Sequence, residues 1–419
     1  MSALNIALFT WEYPPKIMGG LGTYTYELTK QLVKMEQNIS VFTMNDGTLK
    51  TRELMNGIEV HRPELIDISN MLPEAITEEI RRWGPGIKSF SDVMLYNLLV
   101  STKIVNDLIP LEKKQFNILS VHDWLSSMSG IVLKQSTNIP MVFHIHSTEK
   151  GRSLGDGSRI INELEHKAAQ VADKIITVSH AMKEELTKLG FPKDKIQVCY
   201  NGVDPQKYSP DGVEVEQIKK LRAFYDVKDD ELMILFVGRL VGVKGVDKLI
   251  MAMPHVLQKT PKAKLVIVGL GDLQEYLVNL VKATKMDSFV KFRFDFVPEE
   301  ERILHYAACD VAVFPSLYEP FGIVALEAMS MERPVVVGGA GISGMREIVV
   351  CCGEEQCGYH VNPVNPEDIA WGINGALENP EKRKWLGRNG RRRVLSEFTW
   401  DKIAERTLEI YGPVLKRRL

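Results

Sequence analysis

The sequence predicts an α/β protein built from two doubly wound, parallel-sheet domains, and three observations predict it. Short apolar strand-like runs alternate with helix-period stretches, the βαβ rhythm of a parallel sheet covered by helices on both faces. That rhythm is broken by a polar, charged stretch from Asp211 to Glu231 and then starts again. At 419 residues the chain has length for two or three domains, each able to bury its own core.

Composition bounds the function. A 45% hydrophobic, 25% charged chain is that of an ordinary soluble globular protein. A net charge of −2 supplies no field for a polyanion, so nucleic acid is not an expected partner. No apolar run approaches the ~20 residues that span a bilayer, and a membrane is not expected either. The first apolar stretch, Asn5 to Trp11, lacks a basic leader and reads as a first strand. Five cysteines without a secretory signal fit a reducing cytoplasm.

In the first half, that strand leads into Glu12-Tyr-Pro-Pro15, which cannot be helical. Gly19-Gly20-Leu21-Gly22 follows, then an amphipathic helix over about Thr23 to Met35. A glycine-rich loop between strand and helix lets the backbone approach a phosphate or sugar. As a dinucleotide fingerprint it fails, because Gly20-x-Gly22-x-x-Thr25 lacks the third glycine. Further strands are expected at Ile39–Thr43, Asn117–Val121, Pro140–His144 and Lys174–Val178. Glu74 to Lys114 reads as mostly helical, interrupted at Trp83-Gly-Pro-Gly86. Ligands on such sheets bind beyond the carboxyl ends of the strands. Two histidine segments stand there: His122-Asp123-Trp124, and His144-Ile-His146-Ser-Thr-Glu149. With no third convergent ligand evident, no metal is expected, and His144 reads as a packed strand histidine.

The second half opens with strand Leu232–Val237, the loop Gly238-Arg239 to Lys244-Gly245, and a helix from Val246. An arginine fork and a lysine point charge in a glycine-bearing loop ahead of a helix read as a diphosphate clamp. Strand Leu265–Val268 ends in Gly269-Leu-Gly271, again short of a third glycine. Strand Val290–Phe294 and helix Glu299–Cys309 precede strand Asp310–Pro315, a turn marked by Pro320 and Gly322, and helix Ile323–Ser330. That order aims the free N–H groups around Phe321, Gly322 and Ile323 at one spot ready for phosphate. Glu319 sits in the turn, and Glu327 lies about two turns along the helix on nearly the same face. Pro334–Val337 gives one more strand. Cys351, Cys352, Cys357 and His360 match no metal spacing, and neither a metal nor a disulfide is expected of them. The run Arg391–Arg393 reads as a solvated helix face, and a last helix runs from Phe398-Thr-Trp400 to Tyr411.

These motifs, in this order, resemble those of retaining GT-B glycosyltransferases: glycogen and starch synthases and sucrose-phosphate synthases, glycogen synthase above all. Glu319-Pro-Phe-Gly-x-x-x-x-Glu327 is similar to their nucleotide-sugar signature, and Arg239 and Lys244 to their pyrophosphate loop. The resemblance extends to the opening Gly19-Gly20 loop, although this chain has Ile17, with Lys16 one position off, where bacterial glycogen synthases carry a lysine. It implies two domains facing across a cleft, an acceptor domain over 1–203, a donor domain over 204–396, and a helix over 397–419 crossing back. It also implies that His122 lies against the donor hexose, that His146, Glu149 and Arg152 stand on the acceptor side, and that Gly269 lines the base pocket. The implied reaction moves glucose from ADP-glucose or UDP-glucose to a carbohydrate hydroxyl, with retention, Glu319 facing the hexose and Glu327 the ribose. No Asp-x-Asp occurs, so no metal or other cofactor is expected, and Arg239, Lys244 and the Phe321-Gly322 amides would stabilise the departing diphosphate. A small-sugar synthase, a lipid glycosyltransferase and a catalytically silent nucleotide-sugar binder share these donor motifs. Oligomeric state has no signature.

Overall fold

Eight strands form the sheet of the first unit: β1 Asn5–Phe9, β2 Asn38–Phe42, β3 Arg52–Met55, β4 Ile58–His61, β5 Ile118–His122, β6 Met141–Ile145, β7 Lys174–Thr177 and β8 Ile196–Val198. Their order across the sheet is β3-β4-β2-β1-β5-β6-β7-β8, parallel except for the antiparallel β3–β4 pair. The structure, a computed structural model, describes residues 3–17, 19–69, 86–155 and 157–416. Of the helical region expected over Glu74 to Lys114, residues 74–85 lie outside the described residues, and Gly86–Lys103 is a helix.

The second unit carries six parallel strands, β9 Leu232–Val237, β10 Ala263–Val268, β11 Val290–Arg293, β12 Val311–Phe314, β14 Val335–Gly338 and β16 Gly358–Val361, in the order β11-β10-β9-β12-β14-β16. A separate two-stranded pair joins β13 Tyr318–Glu319 to β15 Ile342–Ser343. The first unit comprises Met1–Val178, Lys183–Cys199 and Ile403–Leu419, and the second Ser179–Met182 and Tyr200–Lys402.

Both cores follow from continuous apolar runs. Every residue of β12 and β14 is buried, as parallel strands covered on two faces require. Chain order reverses between β1 and β5 in one sheet, and between β9 and β12 in the other. Such a reversal opens a crevice at the carboxyl ends of the strands. Gly19 and Gly20 follow β1 and open a helix, Gly20–Lys34, that starts three residues earlier than expected, and His122 ends β5; Lys244 follows β9 and Glu319 follows β12. Four of the motifs singled out in the sequence therefore stand at the two switch points.

The Arg391–Arg393 run is not a solvated face. Arg391 donates to the carbonyl of Tyr208 at 3.1 Å and to that of Ser330, and Arg393 donates to the carbonyls of Ile348 and Glu347 at 2.7 and 2.8 Å. Ser330 and Ile348 each end a helix, so the guanidinium groups satisfy carbonyls that have no partner within their own helices. Only Arg392 is exposed.

Candidate active site

In the second unit, the turn after β12 brings Glu319 against Lys244 in an ion pair. Ser316 Oγ donates to the same carboxylate at 3.4 Å. The backbone explains the meeting: Leu317 N–H donates to the Val243 carbonyl at 2.8 Å, and Gly344 N–H to the Glu319 carbonyl at 2.8 Å. Gly245 makes the approach possible. It lies at φ +65°, and a Cβ there would run into the Pro315 carbonyl oxygen. Helix Ile323–Ser330 starts beside Glu319 from Gly322, at φ 104°, with no side chain capping its first N–H groups. Those amides carry the positive end of the helix dipole. Arg239 is exposed on the loop after β9 and makes no ion pair among the described residues. The structure thus joins Lys244 to Glu319 and leaves Arg239 as a free cation. Gly269 stands at φ +149° after β10, too close to the Gly238 carbonyl to admit a side chain.

Glu327 is 4% exposed, and its carboxylate accepts from Tyr208 OH at 3.0 Å, Tyr306 OH at 2.9 Å and Arg302 at 3.2 Å. Burial, then the Glu327 charge, pushes both phenols well above their ordinary range, so both stay protonated and donate. A carboxylate offers about four acceptor sites. Three are filled here, which leaves room for one further donor such as a ribose hydroxyl.

In the first unit, β5 and β6 place three imidazoles together. His122 Nδ1 meets His146 Nε2 at 3.1 Å, and the His122 and His144 rings stack with centroids 4.2 Å apart. Ser120 Oγ lies 3.0 Å from His122 Nε2 and 3.3 Å from His144 Nε2, which in turn lies 2.9 Å from Tyr411 OH. Asp123 anchors the turn. Its Oδ1 accepts from His146 N–H at 2.8 Å while its own backbone sits at φ 54°, ψ 175°, a region that glycine favours. Burial holds all three imidazoles below the ordinary histidine range, hence neutral. One nitrogen of each lies within 4.8 Å of the others, but the three ring planes are within 24° of parallel. Lone pairs of parallel, stacked rings run side by side and do not converge on one cation. His122 is fully buried with both ring nitrogens engaged, so its imidazole offers a hexose no free nitrogen, while His146 is half-buried.

The loop after β6 gathers the remaining expected residues. Arg152 pairs with Glu149 at 3.2 Å and lies 3.7 Å from Glu165, which accepts from Glu149 N–H at 3.0 Å. Burial pushes the Glu165 carboxyl from its ordinary 4.5 up to about 8, against the opposing pull of Arg152. The fold therefore favours the protonated acid. That stabilisation is full below the unfolded value of 4.5 and is lost as pH rises through about 8. Glu165→Gln is expected to flatten the decline in thermal midpoint across that window. An unchanged slope in a pH series of melts would show that Glu165 is ionised throughout. Elsewhere, Lys16 pairs with Asp46 at 2.7 Å, so the cation near the glycine loop is already engaged. Cys351 and Cys352 are exposed free thiols, and His360 Nε2 bonds the Val349 carbonyl at 2.8 Å.

Comparison with known proteins decides the family. Residues 18–207 match the sequence model of Glycosyltransferase Family 4, and residues 217–393 that of Glycosyl transferases group 1. An uncharacterized glycosyltransferase of Methanocaldococcus jannaschii is 36% identical over 97% of this chain and 98% of its own length. The chain is a glycosyltransferase of these families. It is also 28% identical to the glycogen synthase of Mycobacterium tuberculosis over 97% of this chain and 94% of that one. In fold it is similar to the sucrose-phosphate synthase of Thermosynechococcus elongatus, with a TM-score of 0.77 at 23% identity, covering 99% of this chain and 100% of that one. The architecture is therefore GT-B, two α/β domains with parallel-sheet cores.

Within this glycosyltransferase, sequence reasoning missed the residues that hold the expected ones. Tyr208, Tyr306 and Arg302 around Glu327 carry no motif. Ser120 stands two positions before His122 on one strand, and that same-face spacing was a usable signal. Tyr411 had none, being 291 residues from Ser120. Among the described residues no helix is long and apolar enough to cross a membrane.

Proposed function

We propose that this glycosyltransferase moves glucose, with retention and without a metal, from ADP-glucose or UDP-glucose to the non-reducing end of an α-1,4-glucan. The observation that carries the proposal is the Lys244–Glu319 contact at the β9/β12 switch point, beside the uncapped helix start at Ile323. Lys244, Arg239 and the Phe321, Gly322 and Ile323 amides take the charge that develops on the departing diphosphate. When a diphosphate draws Lys244 away, Glu319 is released to face the hexose. Glu327 uses its remaining acceptor site for the ribose. In the first unit, Gly19 and Gly20 offer backbone to the donor, and His146, Glu149 and Arg152 serve the sugars on the acceptor side. The leaving phosphate receives the acceptor hydroxyl's proton. Such chemistry suits a cytoplasmic enzyme acting on a soluble nucleotide sugar.

The test is nucleotide release from a panel of ADP- and UDP-sugars offered a glucan, small sugars or a lipid acceptor, each with and without EDTA. Release from a glucose donor with glucan, unaffected by EDTA, is the expected result. Turnover only with a small sugar or lipid would reassign the acceptor, and activity lost to EDTA and restored by a divalent ion would overturn metal independence.

A further inference from the structure

The imidazoles of the first unit belong to a hydrogen-bond chain whose proton positions can be counted. His144 Nδ1 is buried without a partner among the described residues. A buried bare lone pair is tolerated better than an orphaned buried N–H, so the His144 proton belongs on Nε2. From there it is donated to Tyr411 OH at 2.9 Å. The single Tyr411 proton then goes to Ser120 Oγ at 2.8 Å. Ser120 therefore accepts from Tyr411, and His144 Nε2, 3.3 Å away and already protonated, cannot accept, which leaves His122 Nε2, at 3.0 Å, as the acceptor for the Ser120 proton. A neutral His122 must therefore carry hydrogen on Nδ1 and give it to His146 Nε2 at 3.1 Å. His146 in turn carries its proton on Nδ1, which has no hydrogen-bond partner among the described residues.

We propose that Tyr411, Ser120 and His144 are positioning residues that fix His122 in the Nδ1–H tautomer and, through it, present His146 to the reacting sugars as an Nδ1–H donor. Which nitrogen of a histidine holds the proton is set by what the other one bonds. The chain reaches from Tyr411 on the last helix to the carboxyl ends of β5 and β6, and Tyr411, Ser120, His122, His144 and His146 all belong to the first unit. Ser120 and Tyr411 are completely or almost completely buried, so neither can meet a substrate, and both act through the histidines.

The inference rests on the glycosyltransferase reading only for its consequence, not for the tautomers themselves, so two measurements separate the two. Long-range proton–nitrogen NMR on protein labelled with 15N-histidine reads each tautomer directly. Wild type should show His122 and His146 as Nδ1–H and His144 as Nε2–H; an Nε2–H His122 overturns the proposal whether or not the protein turns over a donor. Ser120→Ala should mix the His122 and His146 tautomers and cut kcat by about tenfold, the effect of one misplaced hydrogen bond, while donor KM stays within about twofold. Ser120→Thr, which keeps the hydroxyl, should restore the wild-type tautomers and kcat. Unchanged tautomers in Ser120→Ala, or altered tautomers with unchanged kcat, would also overturn it. If wild type transfers no sugar yet shows the assigned tautomers, the proposed function fails and the hydrogen-bond chain stands.

Discussion

Arg239→Ala is expected to lower kcat/KM by about 2–3 kcal/mol of transition-state stabilisation, roughly 30- to 150-fold, with an unchanged melting temperature. The guanidinium is exposed and makes no ion pair among the described residues, so folding does not depend on it. A diphosphate gains two charged hydrogen bonds from the fork as negative charge builds on the leaving oxygen. Lys244→Ala should cost at least as much activity and some stability too, because Glu319 then loses its cation in a largely buried turn. Comparing the two variants by steady-state kinetics and thermal melts separates clamp from fold. Near-normal kcat/KM in both would remove the clamp.

The two glutamates should fail in different ways, and Glu327 more severely in stability. Glu327→Gln leaves Tyr208, Tyr306 and Arg302 around a neutral amide in a site where burial makes each unmet donor costly. Breaking a buried charge pair costs about 3–5 kcal/mol, so a large drop in melting temperature should accompany a raised donor KM. Among the described residues Glu319 has only Lys244 and Ser316 as side-chain partners, so Glu319→Gln should leave the fold nearly intact and act on kcat. Kinetics and melts on both variants decide it. A Glu327→Gln protein as stable as wild type, or a Glu319→Gln protein changed in KM alone, would reverse the assignments.

Much of the fold was legible because it is written in local pattern. Leu232–Val237 and Ile323–Ser330 appear at the bounds expected of an apolar run and of a helix after Gly322. The hairpin β3–β4 escaped notice although Asn56-Gly57, both at positive φ, is the turn such hairpins prefer. Strand β8 has only three residues, and helix Val215–Phe224 lies in a stretch whose charges hide its period. The loops proposed to hold the donor were legible as motifs, since glycine, cation and carboxylate chemistry is local. What holds the side chains in place was not: Glu327 owes its position to Tyr208, 119 residues away, and His144 to Tyr411, 267 away. Only the folded chain brings such pairs together, as it does for Arg391 and the helix ends that its guanidinium satisfies.

The most direct test of glucosyl transfer with retention is proton NMR of the product formed from ADP-glucose or UDP-glucose and a maltooligosaccharide. The expected result is an acceptor extended at its non-reducing end through a new α-anomeric proton, appearing in step with nucleoside diphosphate. A β-anomeric product, or donor that binds without any sugar being transferred, would contradict the account.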